Sequence, residues 1–204
     1  FVSRSVQTLL PGASLTLSNA LTKDLLPGSG NVALSVAPAA AIDVPALLHA
    51  LDRYPYGCTE QTVSRAMPLL YVNRLAAQET FGLDMQADDR VREALDRVMA
   101  RESSNGTFGL WGVGGEDVWL DAFAMDFLTR AREKNFAVAQ KGFDIGLDHL
   151  RNALVNASAV TPETASGLAY AAYVLARNGR PVMGDIRYLA ETKLADFASP
   201  LAKG

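Results

Sequence analysis

Cysteine is nearly absent from this chain. Cys58 is the only one in 204 residues, which excludes an intrachain disulfide and any cysteine-rich metal site. Histidine is almost as scarce, at His49 and His149 alone, and no cofactor or metal is expected. There is no excess of basic charge: the net charge is −3, both signs are interspersed, and no basic stripe or tail offers a face to nucleic acid. No apolar run approaches the about 18 residues that a membrane-crossing helix needs. The chain opens at Phe1, without Met and without a charged-then-apolar leader; we read it as an internal fragment of a longer chain.

What remains is an ordinary folding composition, 49% apolar and 20% charged, enough for one good core. Residues 1–40 are rich in Ser, Thr, Leu and Val, with turn signals at Pro11-Gly12 and Pro27-Gly28-Ser29-Gly30-Asn31. Val32, Leu34 and Val36 alternate with small residues, and Leu15 and Leu17 do so more weakly, which predicts a short β segment. From residue 41 to 204 the pattern is helical. A helix is expected from Asp43 to about Arg53. Another runs through residues 59–78 with a break at Pro68, and a third carries the stripe Val91, Ala94, Leu95, Val98 and Met99. The helix with Leu120, Phe123, Ala124, Phe127 and Leu128 has a second apolar side at Trp119, Ala122 and Met125 and should be buried. Phe143, Leu147, Leu150 and Leu154 mark the next. Thr161-Pro162-Glu163 opens an Ala-rich helix that Asn178-Gly179-Arg180-Pro181 stops. Ile186, Leu189, Ala190, Leu194 and Phe197 mark a last one. A faint repeat matches Phe123 to Tyr170 and their surroundings, which fits stacked helix pairs in two layers, an α/α toroid, or only shared Ala-rich composition.

The chemistry lies in Tyr54-Pro55-Tyr56-Gly57-Cys58-Thr59-Glu60-Gln61. Residues three apart on a helical turn lie side by side, so the Cys58 thiol can reach the Gln61 carboxamide. A helix start favours a thiolate and can polarise a carbonyl. Attack of sulfur on the amide would release ammonia and leave an internal thioester. Gly57 is expected to permit a backbone turn that a Cβ would obstruct. Such an acylating group lasts only where water is kept away, and Tyr54, Tyr56, Phe108 and Trp111 are candidates for cover, or ordinary core residues.

Gly57-Cys58-Thr59-Glu60-Gln61-Thr62 resembles the thioester motif of the α2-macroglobulin and complement family. Animal members carry Gly-Cys-Gly-Glu-Gln; bacterial members carry Cys-Leu-Glu-Gln after the Tyr-Pro-Tyr-Gly lead found here at 54–57. Thr59 departs from both patterns. The likeness extends to Asn105-Gly106-Thr107-Phe108-Gly109-Leu110-Trp111 and to Val118 through Phe123. The resemblance implies an all-α fold: an α/α toroid, incomplete here at about half of the ring, with 41–204 as its N-terminal half. Residues 1–40 would then be the end of a CUB-like flanking region. It also implies a role. In the family a protease cleaves a bait region elsewhere, and the exposed Cys58–Gln61 thioester acylates a lysine of the attacker. Gly57, Glu60, Tyr54 and Tyr56 would support the pair. Partners would be target endopeptidases and the neighbouring CUB-like and macroglobulin-like domains, with self-association of the fragment a further expectation. The parent is expected in the periplasm, anchored to the inner membrane as a lipoprotein.

Some complement relatives redirect the acyl group through a downstream histidine. His49 and His149 do not occupy that place, so direct attack by amines is expected and both histidines are read as structural or surface residues. The module consumes its site in one transfer and is not an enzyme. Two other readings stay open: a passive helical-repeat binding module with Cys58 merely buried, and an enzyme on the same ring using Asp117, Asp121 and Asp126.

Overall fold

The computed structural model of the chain describes residues 5–23, 25–26, 34, 36, 57–72, 86–157, 160–197 and 200–203. They divide into two units, Phe1–Asp43 and Val44–Gly204. The expected helix at Asp43–Arg53 and the strand residue Val32 lie outside the described residues.

In the first unit the Pro11-Gly12 turn forms as expected. The Ala13 N–H donates to the Leu10 carbonyl at 2.9 Å, and Gly12 takes a φ of 82°, which favours glycine. A single 3-10 turn, Asn19–Leu21, is capped by the Ser18 hydroxyl. The expected β segment does not appear among the described residues: Leu15, Leu17, Leu34 and Val36 are exposed and in no strand. Alternation supplies a face, but a strand also needs a neighbour to accept its backbone hydrogen bonds.

The second unit is helical among its described residues. Helix α1, Thr59–Ala66, stops at Met67-Pro68, and residues 69–72 turn helical again, as a proline that cannot donate to the ladder dictates. Helix α2, Ala87–Met99, starts on Asp88 and Asp89 and buries Val91, Ala94, Leu95 and Val98. Helix α3, Val118–Glu133, is capped by Asp117, whose carboxylate accepts from the Trp119 and Leu120 amides at 3.0 and 3.3 Å. It is buried on most sides, but Trp119 is 40% exposed and stacks on Phe123 at 5.1 Å. Helix α4, Gln140–Val155, buries Phe143, Leu147, Leu150 and Leu154. Helix α5, Pro162–Arg177, begins on a reciprocal Thr161–Thr164 cap and ends where Gly179 takes a φ of 71°.

The last expected helix is corrected. It breaks into α6, Met183–Tyr188, a wide turn at Leu189–Lys193 and a 3-10 turn at Leu194–Asp196, followed by the short α7, Pro200–Lys203. The wide turn advances each residue through a smaller angle than an α-helix does. Leu189 and Phe197 therefore stay in the core while Ala190 and Leu194 rotate out to solvent.

Two layers emerge from the cross-helix contacts. Along α3 and α5, Gly167 lies by Trp119, the Phe123 ring sits 6.4 Å from Tyr170, and Glu133 pairs with Arg177 at 2.6 Å. Both numbers rise together, so these helices are parallel. Arg130 reaches the Tyr71 hydroxyl at 3.3 Å while the start of α1 lies against the loop before α3, which gives the α1 segment the same direction. Helix α4 runs opposite to α3, with Gln140 on Arg132, Gly146 on Met125 and His149 on Asp121. Helix α2 ends beside the start of α1. Parallel α1, α3 and α5 backed by antiparallel α2 and α4 form an all-α, two-layer arrangement compatible with part of an α/α toroid. The matched repeat positions Phe123 and Tyr170 meet within it, their rings tilted by 42°.

Candidate functional site

Cys58 is the N-cap of α1. Its backbone is extended, at φ −66° and ψ 168°, while the next residue is already helical. The cap is reciprocal: Cys58 Sγ accepts from the Gln61 N–H at 3.4 Å, and Gln61 Oε1 accepts from the Cys58 N–H at 3.4 Å. A Ser-x-x-Glu capping box has this shape, with sulfur here in place of the hydroxyl. Cys58 is buried, at 4% exposure, and Gln61 is half-buried.

The box has a chemical consequence. It folds the carboxamide back to the Cys58 N–H, in the same turn as the sulfur. Addition of the Cys58 sulfur to that carbonyl would form the carbon–sulfur bond and place negative charge on Oε1, the atom the Cys58 N–H already addresses, as an oxyanion donor should. Collapse of the adduct would break the carbon–nitrogen bond, and ammonia would leave with the thiol proton.

Arg101 and the loop before α3 hold the turn. Thr59 N–H donates to the Leu110 carbonyl at 2.8 Å, and its hydroxyl donates to the Gly109 carbonyl at 2.5 Å. The Arg101 guanidinium donates to the Gly57 carbonyl at 2.5 Å and to the Thr59 hydroxyl at 3.2 Å. Gly109 in turn donates its N–H to the Arg101 carbonyl at 3.2 Å. Behind this loop, the fully buried Asp121 accepts from the Phe108 N–H at 2.6 Å and pairs with His149 Nε2 at 2.8 Å. None of these partnerships is local, and the sequence held no signal for Arg101.

The remaining expected site residues fall out differently. Glu60 turns along α1 to accept from the Ser64 hydroxyl at 2.9 Å. Tyr54 and Tyr56 lie outside the described residues. Gly57 is a correction: its φ is not in the left-handed region, and among the described residues an added Cβ would meet only Arg97 Nη1 at an ordinary 3.5 Å. What the described residues hold is its carbonyl, through Arg101. Phe108 is wholly buried, whereas Trp111 is 63% exposed.

The three aspartates weighed for an enzyme all have structural work. Asp117 caps α3, Asp121 pins Phe108, and Asp126 accepts from Arg130 Nε at 2.9 Å and from the Tyr170 hydroxyl at 2.9 Å. Burial, then the Asp126 charge, push Tyr170 well above the ordinary phenol range. His149 is structural, as expected. Among the described residues no group of acidic, His or Cys side chains could hold a metal ion.

A family model for the A-macroglobulin TED domain matches residues 32–155. Alpha-2-macroglobulin of Escherichia coli is 34% identical over 186 residues, covering 84% of this chain and 11% of that protein. A crystal structure of Salmonella alpha-2-macroglobulin reacted with methylamine superposes with a TM-score of 0.68 at 34% identity, over 78% of this chain and 11% of that one. The trypsin-activated E. coli protein gives a TM-score of 0.65 at 34% identity, over 73% of this chain and 11% of that one. The chain thus spans about a tenth of the length of the relatives it matches. With a family match over more than half of its residues and the Cys58–Gln61 turn inside that match, the chain belongs to the α2-macroglobulin family, as a bacterial-type segment of its thioester domain.

Proposed function

We propose that this chain is the thioester-bearing module of a broad-spectrum endopeptidase inhibitor. Cys58 and Gln61 close an internal thioester, held in reserve until a protease cleaves a bait region elsewhere in the parent protein. A lysine amine of the protease then attacks the Gln61 carbonyl: a carbon–nitrogen bond forms, the carbon–sulfur bond breaks, and Cys58 takes the proton. The transfer happens once, so the module is consumed and does not turn over. The observation that carries this reading is the reciprocal cap, which aligns sulfur, carbonyl and a donor for the carbonyl oxygen in one helical turn. Support also comes from the relatives, one obtained after reaction with methylamine and one activated by trypsin.

Residues 1–40 belong in this reading to a CUB-like flanking region. Neighbouring macroglobulin-like domains would complete the exclusion of water around the loop that holds Thr59, where Leu110, Trp111 and Val113 stand exposed. The test uses the parent protein. Its intact mass should fall short of the sequence mass by one ammonia, and methylamine should add to Gln61 while freeing one titratable thiol. Cys58→Ala and Gln61→Ala should each abolish both effects. A full sequence mass, a free thiol before any amine is added and no methylamine uptake would leave Cys58 as a core residue of a passive helical module.

A further inference from the structure

We propose that Arg101 and Thr59 are positioning residues for closure of the ring, acting on Cys58 from both flanks; this rests on the thioester reading above. An N-cap is the least constrained residue of a helix, so its neighbours decide where its side chain points. Here both neighbours are held by one guanidinium, which donates to the Gly57 carbonyl and to the Thr59 hydroxyl. The planar fork of arginine can span two acceptors at fixed separation, as an ammonium cannot.

The hold is a closed circuit. The Arg101 carbonyl accepts from the Gly109 N–H, the Gly109 carbonyl accepts from the Thr59 hydroxyl, and that hydroxyl accepts from Arg101. The Gly109 loop itself is locked, since a Cβ there would run into the carbonyls of Gly112 and Gly114. Thr59, the departure from the Gly or Leu of the resembling motifs, therefore has a function that neither of those side chains could perform: it offers Arg101 an acceptor and Gly109 a donor from one oxygen. Displacing reacting groups by about 1 Å can cost on the order of 100-fold in rate, so a loose cap would close slowly and leave sulfur and amide unjoined.

The test is made in the parent protein, with intact mass reporting the closed fraction and methylamine-released thiol reporting its reactivity. Thr59→Val keeps the shape and removes the hydroxyl; Thr59→Ser keeps the hydroxyl. We expect Thr59→Val and Arg101→Ala to slow closure by about 100-fold, the scale by which misplaced groups lose rate, so that both variants remain largely open when the unsubstituted protein has closed. Thr59→Ser should close like the unsubstituted protein, and Thr59→Val added to Arg101→Ala should slow closure no further. Melting of Thr59→Val should fall no lower than that of Cys58→Ala, which cannot close a ring and also loses the α1 cap; a merely structural role would depress it further. If Thr59→Val closes as fully as the unsubstituted protein, the positioning role is overturned and the thioester reading stands. If the unsubstituted protein itself never loses ammonia, both are overturned.

Discussion

Glu102 follows Arg101 and carries a carboxylate oxygen, Oε1, that is buried without a hydrogen-bond partner among the described residues. Burial raises its pKa above the ordinary carboxylate value. A carboxyl group whose folded-state pKa is raised favours folding while it is protonated. That contribution is complete below the unfolded-state pKa and is lost as pH rises through the folded one. Glu102→Gln keeps the shape of the side chain and cannot ionise. We expect the variant to melt at a higher temperature than the unsubstituted chain at neutral pH, and at the same temperature once Glu102 is protonated in acid. An equal gain at both pH values would mean that charge is not the cause. Gly106 is a second exacting position on this loop. Its φ is 87°, and a Cβ would collide with the Ile145 carbonyl and the His149 side chain. Gly106→Ala should therefore destabilise the chain by about 1–3 kcal/mol in denaturant unfolding, as strained or overpacked sites do.

At the scale of elements, caps carry much of the definition. The Thr161 hydroxyl accepts from the Thr164 N–H at 3.4 Å, and the Thr164 hydroxyl accepts from the Thr161 N–H at 3.0 Å. Thr161→Ala removes half of this pair and should cost about 1 kcal/mol of stability, measured by urea unfolding; no change would assign the start of α5 to Pro162 alone. Features of this kind were legible in the sequence because they are local. Thr161-Pro162 and Asn178-Gly179 are start and stop signals within a few residues, and the stripes of α2 and α4 are single-helix periodicities. The Cys58–Gln61 pairing was legible for the same reason, being one helical turn. Arg101 was not, because its partners lie 42 and 44 residues away and nothing in its neighbourhood marks it. Leu194 misled because its spacing assumes 3.6 residues per turn, which the wide turn at Leu189–Lys193 does not keep. Leu15 and Leu17 misled because alternation says nothing about whether a pairing strand is at hand.

At the scale of the molecule, three parallel helices are backed by two antiparallel ones among the described residues of the second unit. Part of a ring has helix faces that its missing neighbours would cover, and Leu110, Trp111 and Val113 are already bare at 46, 63 and 68% exposure. We expect the isolated chain to self-associate, with sedimentation at rising concentration revealing dimers or larger species. A strictly monomeric chain that also fails to bind a hydrophobic dye would count against the half-ring reading. We propose, from the family resemblance, that the parent protein is periplasmic and held at the inner membrane by a lipid anchor. Fractionation of cells expressing it should place it with the membrane-bound periplasmic proteins, and a purely cytoplasmic pool would sink that assignment.

On the proposed reading, the reciprocal cap at the start of α1 would make the state of the thioester visible in the backbone. The sulfur and the carboxamide oxygen that accept from the Gln61 and Cys58 amides are the atoms that ring closure would alter. A thioester sulfur is a far poorer acceptor than a free cysteine sulfur, so closing the ring would trade the Gln61 hydrogen bond for a covalent strap. Opening by an amine would give the sulfur back while leaving the Gln61 carbonyl tethered to its target. Reserve and spent forms should therefore differ in how fast these two amides exchange their protons with solvent, with the rest of the helix as an internal clock. A module of this kind would carry its own record of whether it had fired.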